Sequence, residues 1–249
     1  MDKHQLKGSQ TAKNGFINET EIIKKFNNWK NDEDAQKWLT IMEYKLDEIE
    51  LVNAVKVKGS FKADVQAQVT IKLKDAIDCQ NLQVKLVSID NGFNQIDKRW
   101  VDKYADMCNI PNSIISTLKR YTGEEKPTIE NPKDVRRMFA NEFEENEQAA
   151  MLNWLNENKT LIATDIIKGR GQFAAEWMLV AQKVTSNSRW ILKPINICLN
   201  HYANGEAGIT SRNNFYIARI GMQRKGGDGG RKTANMLQFK IDPTELFDI

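Results

Sequence analysis

Asp64-Val65-Gln66-Ala67-Gln68-Val69-Thr70-Ile71-Lys72-Leu73 is the stretch that sets the fold. Val65, Ala67, Val69, Ile71 and Leu73 alternate with Gln66, Gln68, Thr70 and Lys72. A period of two makes a strand with one apolar and one polar face. Lys74-Asp75-Ala76 is polar and short enough for a hairpin turn. Beyond it, Leu82, Val84 and Leu86 alternate with Gln83 and Lys85 in a second strand. A turn centred between Lys74 and Asp75 sets Asp64 opposite Lys85, on the face that also carries Gln83. Upstream the period is helical. Phe16, Ile22, Ile23, Phe26 and Trp29 predict a helix over Asn18–Lys30, with Asn18 and Glu21 as a capping box. Trp38, Leu39, Met42, Leu46 and Ile49 predict a second over Asp34–Ile49.

Downstream, Ile96, Trp100, Tyr104, Met107 and Cys108 fall on one helical face. Further helices are expected at Ser113–Tyr121, Pro132–Asn141 and Glu145–Asn158, and strands at Glu176–Val184, Arg189–Leu192, Tyr216–Met222 and Met236–Ile241. Strands flanked by helices on both sides of the chain imply an α/β or α+β fold with a mixed sheet. No repeat or low-complexity linker interrupts the 249 residues, so the expectation is one domain over 1–249.

Composition narrows the chemistry. The longest apolar runs are far short of a membrane span, and Met1-Asp2-Lys3-His4-Gln5 has no apolar signal core, so a soluble cytoplasmic protein is expected. Cys79, Cys108 and Cys198 are odd in number and widely spaced, which suits reduced thiols better than a disulfide frame. The two histidines, His4 and His201, lie near no nucleophile or zinc motif. Carboxylates, lysines and an oxygen-ligated metal remain. The net charge of +3 conceals a basic end: Arg212 to Lys240 holds seven basic residues and one acid, whereas Glu124 to Glu147 holds eight acids and four bases. One face directed at a polyanion explains this, and so does a solvated loop.

The hairpin is the candidate centre. The Asp64 carboxylate is a hard ligand for Mg²⁺, and the Gln83 side-chain carbonyl and the Val84 backbone carbonyl can add to it. Lys85 would orient the attacking water or stabilise charge on phosphorus. Taken together they suit phosphodiester hydrolysis. Glu19 falls on the apolar stripe of the first helix. It either completes the metal site or sits in water as a first-turn acid. Phe93, in Gly92-Phe93-Asn94-Gln95, is either a wedge for a base stack or a staple for the following helix, with Asn94 as its cap. Asn94 and Gln95 carry amides suited to base edges, and Lys98 and Arg99 can reach phosphates. Gln223-Arg224-Lys225-Gly226-Gly227-Asp228-Gly229-Gly230-Arg231-Lys232-Thr233 has Arg231 where a nucleotide-binding loop needs Gly. Glycines flanked by Arg and Lys fit a nucleic-acid backbone or an exposed turn, as does the smaller Lys168-Gly169-Arg170-Gly171.

These residues resemble the type II restriction endonucleases of the HinP1I type, which cut GCGC. The likeness is carried by Thr11-Ala12-Lys13, Gly15-Phe16 and Asn18-Glu19, then Leu46-Asp47-Glu48-Ile49, Asp64 and Gln83-Val84-Lys85-Leu86-Val87-Ser88. It continues through Gly92 to Lys98, Arg136-Arg137-Met138-Phe139, Gly169-Arg170-Gly171, Phe173 to Trp177, Gln223 to Gly227 and Thr233 to Ile249. The resemblance implies a PD-(D/E)XK core, a mixed central sheet flanked by helices, and Mg²⁺-dependent cleavage of double-stranded DNA leaving 5′-phosphate ends. It implies Asp64, Gln83 and Lys85 as the catalytic set, Glu19 as an accessory acid and Phe93 as the intercalating residue, with Gln95 and Lys98 near the bases. Arg170, Arg212, Arg219, Gln223, Arg224 and Lys225 are the further DNA-binding candidates. A homodimer and a cognate methyltransferase in the host follow from the same resemblance. One departure stands: Ala63 occupies the position where the family carries Ser. Two other readings of the residues are a DNA-binding protein that does not cut and a structure-selective repair nuclease.

Overall fold

The alternating pattern of the hairpin becomes the middle of a five-stranded sheet. A computed structural model describes residues 14, 17–57, 66–90, 92–184, 187–227 and 231–249. The strands are β1 (Ile49–Lys56), β2 (Gln66–Leu73), β3 (Ile77–Val87), β5 (Trp177–Val184) and β6 (Asn187–Pro194), in the order β1-β2-β3-β5-β6. β3 and β5 run parallel and the other pairs antiparallel, so the sheet is mixed. The β2–β3 register runs from Lys72 opposite Ile77 to Gln66 opposite Gln83. That is the register of a turn centred between Lys74 and Asp75, as the alternation predicts.

Contacts divide the chain into two units. The first draws on Ser9–Asn94, Lys168–Cys198 and Asp242–Ile249 and contains this sheet. Helices α1 (residues 17–27) and α2 (Glu33–Ile41) cover one of its faces. Ile22, Phe26, Trp38 and Leu39 pack there with Val52, Ala54, Val69, Ile71, Leu82, Val84 and Leu179. β1 is an edge strand. The Asn27 side chain caps its open backbone, accepting from Ala54 N at 2.6 Å and donating to Ala54 O at 3.1 Å.

The second unit draws on Gln95–Ile167 and Leu199–Ile241. Its sheet has the order β4-β10-β9-β8-β7: β4 (Asn94–Arg99), β7 (Ala207–Ile209), β8 (Phe215–Ile217), β9 (Ile220–Arg224) and β10 (Leu237–Ile241). Helices α3 (Val101–Cys108), α4 (Asn112–Thr122) and α5 (Glu145–Ala163) accompany it, and α6 (Ile195–Ala203) follows β6. Tyr121 is fully buried and donates to Met222 O at 2.8 Å.

Four expected elements are corrected. The second helix ends at Ile41, where Glu43 turns into the left-handed region (φ 69), and Ile49 opens β1 instead of closing a helix. Residues 94–99 are strand, not helix. Ile96, Trp100 and Tyr104 share a four-residue spacing by coincidence of a buried strand residue and a new helix. The expected helix at Pro132–Asn141 is an irregular segment with a bridge between Asp134 and Arg137 and a 3-10 turn at Ala140–Glu142. The expected strand Tyr216–Met222 is two strands folded at Ala218, whose φ of 49 no turn residue announces. α6, β1 and β7 went unrecognised.

Gly123 caps α4 at φ +85, and a Cβ there would stand 2.5 Å from the Arg136 carbonyl oxygen. Gly123→Ala is therefore expected to destabilise the chain by about 2 kcal/mol or more, measured by urea unfolding.

Candidate active site

The odd-numbered residues of β3 face away from α1 and α2. Gln83 is 1% exposed and Lys85 5% exposed, whereas Val84 packs into the apolar cluster on the opposite face. Burying an amide and an ammonium side by side is unfavourable unless each finds a partner. Gln83 Oε1 is buried and makes no hydrogen bond among the described residues. Asp64 lies outside the described residues, as does Ala63.

Asn81, two residues before Gln83 on the same face, completes the local frame. It accepts from Gln68 Nε2 at 3.2 Å, donates through Nδ2 to Gln172 O at 3.0 Å, and donates its backbone N–H to Glu176 at 2.9 Å. It thus ties the 3-10 turn Gly171–Phe173, which follows the exposed Arg170, to the strand carrying Gln83 and Lys85. Neither Asn81 nor Glu176 was singled out from sequence. The signal was present in the two-residue spacing Asn81, Gln83, Lys85.

Glu19 is buried, 1% exposed, and pairs with Lys56 Nζ at 2.6 Å. It is therefore no solvated first-turn acid. Lys56 shares the strand face of Val52 and Ala54, the side covered by the helices, opposite to Gln83 and Lys85.

Phe93 is 61% exposed, directly before β4. With residues 94–99 in a strand, no helix begins there for Phe93 to staple or Asn94 to cap. Lys98 and Arg99 likewise belong to β4, and Arg99 is paired with the buried Asp97 at 2.9 Å. Gln95 accepts from Gln238 Nε2 at 2.9 Å, and Gln238 Oε1 accepts from Gln223 Nε2 at 3.4 Å. The structure so joins Gln95 and Gln223 in one row of amides across β4, β10 and β9, through a residue that sequence reading passed over. Arg212 and Arg219 are exposed at opposite ends of β8. Arg224 donates to Asn235 Oδ1 at 2.8 and 3.1 Å. Burial first, then repulsion by Arg136 and Arg137, lowers its pKa. Beside them Arg136 grips Asp134 with two bonds of 2.8 Å and pulls that carboxyl down to about 2. Lys225 donates its backbone N–H to Met236 O at 2.9 Å.

No group of three His, Cys, Asp or Glu side chains among the described residues is arranged to hold a metal. The Gln83 carbonyl oxygen nevertheless suits a divalent cation, being buried, uncharged and without a donor among the described residues.

The chain as a whole has relatives. The family model of the R.HinP1I restriction endonuclease matches residues 42–247. The chain belongs to that family and is a type II restriction endonuclease. A solved structure of the restriction endonuclease MspI in complex with its cognate DNA is similar in fold, with a TM-score of 0.66 at 14% identity, covering 96% of this chain and 93% of that one. No curated protein matches. No helix among the described residues is long and apolar enough to cross a membrane.

Asn81→Leu leaves the Gln172 carbonyl and the Gln68 amide without their partner. It is expected to lower stability by roughly 1–3 kcal/mol in urea unfolding.

Proposed function

We propose that this endonuclease hydrolyses both strands of DNA at a short GC-rich palindrome, GCGC, with Mg²⁺, leaving 5′-phosphate and 3′-hydroxyl ends. The single observation that carries the reading is the buried pair Gln83 and Lys85 on one face of β3, with Gln83 Oε1 lacking a donor. The sequence pattern, with its turn centred between Lys74 and Asp75, supports pairing Asp64 with Lys85. Asp64, Gln83 Oε1 and the Val84 carbonyl would hold the cation, which supplies positive charge to the scissile phosphate and makes a nearby water more acidic. Lys85, on the same face, directs its ammonium to the attacking water or to the phosphoryl oxygens as negative charge grows on them. Glu19, whose Oε2 is held by Lys56 on the helix side of the sheet, is the accessory acid, acting from there and not as a ligand beside Gln83.

Phe93 enters the base stack as a wedge, and its exposure supports this. Gln95, Gln223, Asn94 and Lys98 read base edges. Arg170, Arg212, Arg219, Arg224 and Lys225 steer the phosphates, though the guanidinium of Arg224 already bonds Asn235. Both units act as one endonuclease domain, the homodimer is its assembly, and it works in the cytoplasm. There a methyltransferase of the same specificity must protect the host sites.

Digestion of a sequenced plasmid with purified protein and Mg²⁺ is the direct test. Discrete fragments ending at GCGC are expected, and EDTA abolishes them. An uncut plasmid, or nicks that follow DNA structure rather than sequence, would remove the reading. Lys85→Ala is expected to lose cleavage by at least a hundredfold while binding of the cognate duplex in Ca²⁺ survives; joint loss of both would mark Lys85 as structural. Phe93→Ala should weaken binding of the cognate duplex more than of a random one, by gel shift.

A further inference from the structure

A wedge is useful only if it is held. Driving a ring between base pairs requires unstacking them, and a loop that must first be ordered loses binding energy to that ordering. The segment between Val87, the end of β3, and Asn94, the start of β4, presents Phe93. Two buried polar residues from distant parts of the same unit tie its backbone.

Gln182 on β5 stands opposite Val87 and is 4% exposed. Its Nε2 donates to Ile89 O at 3.1 Å and to Asp90 O at 2.8 Å. Its Oε1 accepts from Arg189 Nε on β6 at 2.5 Å, and the Arg189 guanidinium lies 4.0 Å over the Phe247 ring. At the other end, Gly92 donates its backbone N–H to Asp242 Oδ2 at 3.0 Å. Asp242 Oδ1 is engaged separately, accepting from Thr244 N at 3.0 Å and Thr244 Oγ1 at 2.6 Å at the start of the C-terminal 3-10 helix. The loop is also closed on itself, since a Cβ on Gly92 would come within 2.6 Å of Ile89 Cδ1.

We propose that Gln182 and Asp242 are positioning residues for Phe93, clamping the backbone that leads into it at residues 89–90 and at Gly92, with β4 beginning directly after it, so that the ring meets DNA already in place. This rests on Phe93 acting as a wedge. Neither residue touches DNA in this account. Each acts through the backbone that carries the ring.

Two substitutions are aimed at the loop bonds. In Asp242→Asn, one amide oxygen keeps both Thr244 bonds, and the amide NH₂ then faces the Gly92 N–H, donor against donor. Turning the amide over would sacrifice two bonds for one. In Gln182→Glu, one carboxylate oxygen keeps Arg189, and the other faces the Ile89 and Asp90 carbonyls with no proton to offer. A cognate duplex carrying 2-aminopurine within the site reports unstacking by fluorescence, in Ca²⁺. Each variant is expected to reduce that signal and to weaken cognate binding about tenfold, while a cooperative thermal transition above the assay temperature shows that the fold is retained. In a Phe93→Ala background either change should alter binding less than twofold, because nothing remains to be positioned. An equal loss in both backgrounds, or unchanged fluorescence in both variants, overturns the proposal. If Phe93→Ala alone leaves fluorescence and binding intact, the wedge reading fails and this inference with it. An unaltered protein that cuts no DNA defeats instead the nuclease reading.

Discussion

A strand buried on both faces has to reconcile an apolar core with any polar side chains it carries. β3 resolves this by splitting its sides. Leu82 and Val84 enter the cluster under α1 and α2, and Asn81, Gln83 and Lys85 project from the other side. The apolar half anchors the strand, so the polar half stays fixed even though desolvating it is unfavourable. A one-residue slip would exchange the two sets and lose both the core and the site. Antiparallel pairing with β2 and parallel pairing with β5 hold the register from either side.

The polar side works only because its groups are organised. Asn81 joins three separate backbone and side-chain partners, and its neighbour Gln83 keeps an oxygen without a donor among the described residues. Glu19 and Lys56 show the contrasting solution, where a buried acid is matched at once by an ammonium. Both solutions occur in one chain of the R.HinP1I restriction endonuclease family.

Legibility followed the range of the forces. The hairpin register could be read because period-two alternation and a short polar turn are local, and the resemblance to the family came from residues that line up in order. What failed depended on distant partners. Ile49 fits the apolar stripe of α2 as well as it fits β1, and only pairing with Leu73 decides. Ile96 and Tyr104 look like one helix face until β10 takes up residues 94–99 as a strand. Ala218 carries no turn signature, yet it reverses the chain between β8 and β9. Asn81 and Gln238 were passed over because a single amide is unremarkable until its partners across neighbouring strands are known.

The parallel pairing of β3 with β5 has a kinetic side. Its two strands are separated by the whole of residues 88–176, which include most of the second unit's helices. Closing so long a connection is entropically slow, and the ribosome delivers β5 only after that insertion has emerged. A half-made chain therefore holds β3 with one flank bare. The strand that carries Gln83 and Lys85 is therefore flanked on both sides only when residues from far along the chain have been made.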